Sequence, residues 1–262
     1  MLGILDGTVL PADEVHIPAR DAGLLRGDGV FEVMRLYDGH PFALDDHLER
    51  MERSAANLLL PLDADAVRAD IGTLLEAGQP TDGVVRVLVT RGGHRIAFLE
   101  PLPALPETLA LKTITYSPTR ILDGVKSLSY GANMLATRLA VERDADEALL
   151  VTPHGRVLEA PTSSFFCSLD GRTVVTPPLD DHILDSITRR RLLQSCEITE
   201  RPIAADELQD VREAFLASTV REVLPVNAID GRALESVPGP RTGDADERVR
   251  ALIVQELGAA AR

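Results

Sequence analysis

The sequence predicts an α+β protein of two domains, and three observations carry that prediction. Short alternating segments meet at Asp-Gly turns, helical spacing occurs in only a few stretches, and a polar segment holding Pro118 and Gly124 interrupts the chain near its middle. Strands and helices do not alternate with the regular cadence of a doubly wound parallel sheet.

The elements follow in order. Ile4 to Leu10 reads as two short strands around Asp6-Gly7. Gly29 to Tyr37 alternates, turns at Asp38-Gly39, and returns through Pro41 to Leu44 as a second hairpin. From Asp45 to Leu60, Leu48, Met51, Ala55 and Leu58 recur at helical spacing behind an Asp cap, and residues 67–76 repeat the pattern. Val84 to Thr90 and Thr108 to Tyr116 read as strands. Residues 117–124 are the expected linker between an N-terminal domain, 1–116, and a C-terminal domain, 125–262. Beyond it, Tyr130 to Arg143 is helical, and strands are expected at 147–152, 157–159, 164–169 and 173–176. A helix over 187–196, strands at 214–217 and 223–228, and a final helix over 248–261 complete the reading.

Composition narrows the functional classes. A net charge of −14 argues against a nucleic-acid partner, which needs a basic surface. No run of about 18 apolar residues occurs, so no membrane span is expected. Met1-Leu-Gly-Ile-Leu-Asp6 lacks the basic-then-apolar pattern of a secretory leader, and two cysteines make no disulfide framework, so the expected location is cytoplasmic. The six histidines do not pair at ligand spacing, and no metal is expected. Gly27-Asp28-Gly29 lacks the remainder of a nucleotide loop.

Lysine use is more pointed. Of 27 basic residues only Lys112 and Lys126 are lysines. Arginine stays protonated and cannot serve as an amine nucleophile, so a chain this poor in lysine keeps one by chance or where a primary amine is required. Lys126 follows the expected linker, and ligand sites favour domain boundaries. Glu159 leads into the hydroxyl-rich loop Ala160-Pro-Thr162-Ser163-Ser164. Ser186, Ile187 and Thr188 stand where a helix begins, a natural anion site. Ser218-Thr219 follows a strand end. Each feature alone also fits a solvated lysine, a surface glutamate or an ordinary helix cap. Together, an amine, a carboxylate and an anion-ready helix start are what pyridoxal phosphate requires.

The order and spacing of these segments resemble the class IV aminotransferases, the fold-type-IV pyridoxal-phosphate enzymes. That group includes D-amino-acid transaminases, branched-chain aminotransferases and 4-amino-4-deoxychorismate lyases. Asp21 to Glu32 is similar to the family's opening signature, with Ala22 in place of an arginine. His47-Leu-Glu-Arg50, Lys126-Ser-Leu-Ser-Tyr130, Ala145 to Leu150 with Glu159, Ile183 to Arg189 and Leu216 to Pro225 match further family segments. Two loops depart from the pattern: Glu159 is followed by Ala160-Pro161, and Ser164 and Ser186 replace an asparagine and a glycine.

The resemblance implies a smaller N-terminal α/β domain, a larger C-terminal pseudo-barrel domain, and a homodimer acting on small amino and keto acids. It implies that Lys126 bonds the cofactor's aldehyde carbon and then moves the α-proton. Glu159 would hold the pyridine nitrogen protonated, and Tyr130 would stand beside the phenolic oxygen. Arg50, Ile187, Thr188 and Thr219 would grip the phosphate, with Thr162 and Ser163 completing the cofactor contacts. Phe31, Val33 and Arg35 share one strand face, which the resemblance turns toward substrate, with Arg91 nearby. Phe31-Glu-Val33 looks more like D-amino-acid transaminases than branched-chain enzymes, although Arg91-Gly-Gly-His-Arg95 lacks their Arg-x-His carboxylate clamp. The expected activity is transfer between a D-amino acid and a 2-keto acid, with slow (R)-amine turnover. The branched-chain L-enzyme and the lyase are the alternatives.

Overall fold

Asp6 and Gly7 take φ of 48° and 89°, and this tight turn joins β1 (Leu2–Leu5) to β2 (Thr8–Pro11). It opens the first of two compact units in the computed structural model, which describes residues 1–260. This unit holds Met1–Ala104, Gly124–Tyr130 and the described residues from Gln255 onward.

Its further elements are α1 (Ala22–Arg26), β3 (Gly29–Tyr37), β4 (His40–Pro41), α2 (Leu44–Asn57), α3 (Ala64–Gly78), β5 (Asp82–Thr90) and β6 (Arg95–Glu100). The six strands form one antiparallel sheet in the order β2-β1-β6-β5-β3-β4. On β3, Val30, Met34 and Leu36 are fully buried and join Leu48, Met51 and Ala55 of α2 and Val67, Ile71 and Leu74 of α3 in one core. The alternation read from the sequence is therefore a true inside–outside period.

Four details differ from expectation here. The expected strand 41–44 stops at Pro41, because Ala43 adopts φ 56° and donates its amide to Glu256 Oε1 at 2.5 Å, starting α2 at Leu44. Asp45 thus lies inside the helix and does not cap it. The short helix α1 was not anticipated; Asp21 caps it and Gly27, at φ 66°, ends it. β6 was also missed, since its residues alternate only weakly between buried and exposed.

The second unit comprises Leu105–Asp123 and Gly131–Val254. Its elements are β7 (Leu109–Thr115), α4 (Gly131–Val141), β8 (Glu147–Val151), β9 (Ser164–Ser168), β10 (Val174–Thr176), α5 (Ile187–Ser195), β11 (Ile198–Glu200), β12 (Glu213–Ser218), β13 (Glu222–Ile229), β14 (Arg232–Ala233) and α6 (Pro240–Ala260). Eight strands make one mixed sheet, β11-β10-β9-β12-β13-β7-β8, with β14 against β13. β7 runs parallel to both β13 and β8. Two separate sheets with helices against them agree with the α+β reading.

Hydrogen bonding explains how the chain divides. β7 is bonded along both edges within the second unit, so 105–116 belongs there and not with 1–104. The Lys126 segment runs beside β3: Phe31 N donates to Lys126 O, Leu128 N donates to Gly29 O, and Val30 bridges Ser127. Those bonds group 124–130 with the first unit.

The expected strand 157–159 does not extend a regular ladder: Val157 bridges Val151 while its amide turns to Ile203 O, and Leu158 and Glu159 exchange single bonds with Leu150. α6 begins at Pro240, eight residues before the expected start at Arg248. Pro240 has no amide to satisfy, and the buried Glu213 carboxylate accepts from the amides of Arg241 and Thr242 at 3.2 and 3.3 Å. Ala261, included in the expected helix, lies outside the described residues.

Candidate active site

In the first unit the strand period places Phe31, Val33, Arg35 and Tyr37 on the partly exposed face of β3. The backbone pairing just described lays Lys126 beside Phe31. Lys126 Nζ sits 4.3 Å from the Phe31 ring centroid and 5.7 Å from that of Tyr130. The two rings meet edge to face at 5.2 Å, an arrangement aromatic quadrupoles favour. An amine is therefore held against two aromatic rings. Its backbone amide donates to Ser54 Oγ at 3.1 Å, and Ser54 is fully buried on α2. Glycine is required at 29 for this approach, since a Cβ there would stand 2.4 Å from Val89 O and 2.6 Å from a Leu128 methyl.

Glu32 lies on the opposite, buried face of β3, in phase with Val30 and Met34. A carboxylate in that position needs partners. Arg50 Nε and Nη2 each donate to it at 2.7 Å, and His47 Nδ1 lies 2.7 Å from Oε2. Burial pushes the Glu32 carboxyl up, but the Arg50 guanidinium and His47 outweigh it and hold it well below the usual carboxylate range. Burial pulls the His47 imidazole below its ordinary value, against the pull of Glu32. His47, Arg50 and Ser54 are spaced i, i+3 and i+7 on α2, so one helix face carries both this cluster and the Lys126 contact.

The arginines read as substrate candidates sit differently. Arg35 stacks its guanidinium over Tyr37, 4.6 Å from the centroid. Arg91 pairs with both oxygens of Asp28 at 3.0 and 3.1 Å and donates to the carbonyls of Leu58 and Leu59 at 2.7 and 2.6 Å. It ties its loop to the C-terminal end of α2. Arg95, at the other end of the Arg91 loop, is held by Asp70 at 2.8 Å.

In the second unit, Leu150 N donates to Glu159 O, and Glu159 Oε1 accepts from Leu184 N at 3.0 Å. Burial, with the Glu159 charge, pushes the Tyr116 hydroxyl up. The chain then reverses through Ala160–Ser163, whose end residues exchange amide hydrogen bonds of 2.9 and 3.3 Å. Thr162 is exposed at the tip, while Ser163 is buried. Ser164 is 1% exposed and its Oγ has no hydrogen-bond partner among the described residues. Ser186 caps α5 by accepting from Arg189 N at 3.3 Å, and Ile187 and Thr188 form the buried first turn. Thr219 stands in the turn between β12 and β13.

Phe31, Val33, Arg35, Arg50, Arg91, Lys126 and Tyr130 thus belong to the first unit, and Glu159, Thr162, Ser163, Ile187, Thr188 and Thr219 to the second. Sequence reasoning assigned no partner to Arg50 and no role to Glu32, Ser54 or Arg221. Glu32 carried a readable signal: a charge in the core phase of an alternating strand. Among the described residues, no group of three or more His, Cys, Asp or Glu is placed to hold a metal ion, and no helix is long and apolar enough to cross a membrane.

A family model described as amino-transferase class IV matches residues 29–229. The chain is 31% identical to a D-alanine aminotransferase of Bacillus licheniformis, over 97% of each protein. It is 32% identical to a putative branched-chain-amino-acid aminotransferase of Methanocaldococcus jannaschii, over 88% of this chain and 89% of that one. Among solved structures it superposes on a hypothetical aminotransferase from Mycobacterium tuberculosis in its PLP-bound form. That likeness has a TM-score of 0.88 and 26% identity, and covers 98% of this chain and all of the other.

Proposed function

The chain belongs to the class IV aminotransferases, and on that footing we propose that it is a pyridoxal-phosphate-dependent transaminase moving an amino group between a D-amino acid and a 2-keto acid. The observation that carries the reading is the side chain of Lys126, an amine packed against the Phe31 and Tyr130 rings in a chain with two lysines. The groups present suit the cofactor. A primary amine suits an aldehyde, a carboxylate suits a pyridine nitrogen, and a guanidinium with the start of α5 suits a phosphate.

When bound, pyridoxal phosphate supplies an electron sink that stabilises negative charge at the substrate α-carbon. Lys126 would hold the cofactor through its amine and would move a proton to and from the substrate α-carbon. Glu159 keeps a proton on the pyridine nitrogen, its own orientation set by the Leu184 amide. Arg50, oriented by its two bonds to Glu32, would donate to the phosphate, and Ile187, Thr188 and Thr219 would be further phosphate donors. Tyr130 attends the phenolic oxygen, and Thr162 and Ser163 complete the cofactor contacts. Phe31, Val33 and Arg35 meet the substrate, Phe31 and Val33 excluding water from its side chain.

The D-amino-acid preference draws support from Phe31-Glu32-Val33 and from the D-alanine aminotransferase relative. The relative from Methanocaldococcus favours a second reading, transfer from branched-chain L-amino acids. We further propose a cytoplasmic homodimer. The deciding experiment adds one amine at a time, without keto acid, and follows the absorbance of the bound cofactor. D-alanine is expected to convert it to the amine form and L-leucine to leave it unchanged. The reverse result selects the branched-chain reading. Turnover of aminodeoxychorismate without conversion by any amine makes the protein a lyase.

A further inference from the structure

Arg221 lies in the turn between β12 and β13, two residues after Thr219, and its side chain reaches two other segments of the second unit. Nη2 pairs with Glu147 Oε2 at 2.7 Å, and Nη1 donates to Ser163 Oγ at 3.3 Å. Glu147 opens β8 and is 3% exposed; its second oxygen accepts from Thr137 Oγ1 of α4 at 2.5 Å and from the Ala148 amide at 3.3 Å. Ser163 closes the Ala160–Ser163 turn that follows Glu159, and Asn133 Nδ2 of α4 donates to Pro161 O of the same turn at 3.1 Å. At the root of its own turn, the Arg221 amide donates to Ser218 Oγ at 3.2 Å.

One planar fork therefore joins the Thr219 turn, the Glu159–Ser163 turn and, through Glu147 and Thr137, helix α4. A partly buried Arg–Glu pair is weak support for stability, because both ions give up water to form it. Its particular strength is geometric, since a guanidinium fixes two acceptors in one plane and an ammonium acts as a single point charge.

We propose that Arg221 is a positioning residue that sets the Ser163 turn against the Thr219 turn and thereby governs how tightly the cofactor is held. The proposal rests on the reading of Glu159, Ser163 and Thr219 as cofactor residues. Arg221 acts through Ser163 and through the backbone of its own turn.

Arg221→Lys tests this, because it keeps a cation for Glu147 while giving up the second arm. The apoprotein is titrated with pyridoxal phosphate, and its thermal midpoint is measured without cofactor. Arg221→Lys is expected to hold the midpoint near wild type while lowering cofactor affinity about tenfold, the worth of one charged hydrogen bond. Ser163→Ala, which removes the acceptor, is expected to show the same loss, and the double variant no more than either alone. Wild-type affinity in Arg221→Lys, or full additivity in the double variant, overturns the proposal. Glu159→Gln and Thr219→Val distinguish the two levels. If both bind cofactor as wild type does, the underlying reading fails; if both weaken while Arg221→Lys does not, only the role of Arg221 fails.

Discussion

The carboxylate of Glu32 and the guanidinium of Arg50 form a two-pronged ion pair inside the first unit, with both bonds 2.7 Å long and both side chains nearly free of solvent. β3 supplies one partner from its core face and α2 the other, so the pair also fixes how that helix lies on the strand. The plane of Arg50 is set before any ligand arrives, which lowers the ordering cost of gripping an anion.

Separating stability from binding tests this pair. Arg50→Ala leaves a buried carboxylate short of its main partner and is expected to cost about 3–5 kcal/mol. Combining Arg50→Met with Glu32→Leu removes both charges and should recover most of that loss. If Arg50 holds the phosphate as proposed, the double variant should still bind pyridoxal phosphate about ten- to a hundredfold more weakly. Urea denaturation and apoprotein titration read the two effects. A stable double variant with wild-type cofactor affinity would remove Arg50 from the phosphate site.

The same cluster makes stability fall toward acid in two stages. His47 is held neutral by burial, below its ordinary value of 6.5, so the unfolded chain binds its proton first and stability declines as pH drops below 6.5. Glu32 is held well below its ordinary 4.5, so its contribution is complete above that value and is lost as pH falls toward its folded value. His47→Asn can keep an N–H near Glu32 but does not titrate. The urea midpoint of that variant is expected to depend less on pH than wild type as pH falls below 6.5. Equal slopes would show that His47 is not held neutral.

Lys126 and Lys112 provide an internal control. Lys112 pairs with the partly exposed Asp230 at 3.1 Å, an ordinary surface ion pair. Lys126→Ala is expected to abolish both the visible absorbance of the bound cofactor and turnover. Lys112→Ala should leave both intact. Exchange of these outcomes would move the cofactor to the other lysine.

Much of this was legible because local patterns and tertiary demands agreed. β3 was read with its observed bounds because strict alternation and Asp38-Gly39 both mark them. The helix starts were less legible. α2 and α6 are begun by Glu256 and Glu213, carboxylates distant in sequence, and local spacing carries no trace of them. β11 and β14, three and two residues long, are too short for any period to register. The partners of Arg50 and Arg221 escaped for a similar reason. An isolated arginine in a sequence gives its charge but not the acceptors that orient it.

Carboxylate recognition is the remaining test. A substrate carboxylate entering an enclosed pocket needs a cation, since burying it unpaired costs several kcal/mol. Arg91 is committed to Asp28 and to two carbonyls at the end of α2, so Arg91→Ala should chiefly destabilise the first unit. Arg35 shares the β3 face of Phe31 and Val33 and lies over the Tyr37 ring, which helps to orient it. Arg35→Ala is therefore expected to slow the half-reaction with D-alanine about tenfold, the worth of one charged hydrogen bond. The rate with (R)-1-phenylethylamine, which has no carboxylate, should change little, so the ratio of the two rates is the informative measurement. Equal slowing of both would mean that Arg35 supports the strand and does not read the carboxylate. A wild type that reacts with L-leucine alone would sink the D-amino-acid reading itself, because the same face would then be accommodating the opposite hand at the α-carbon.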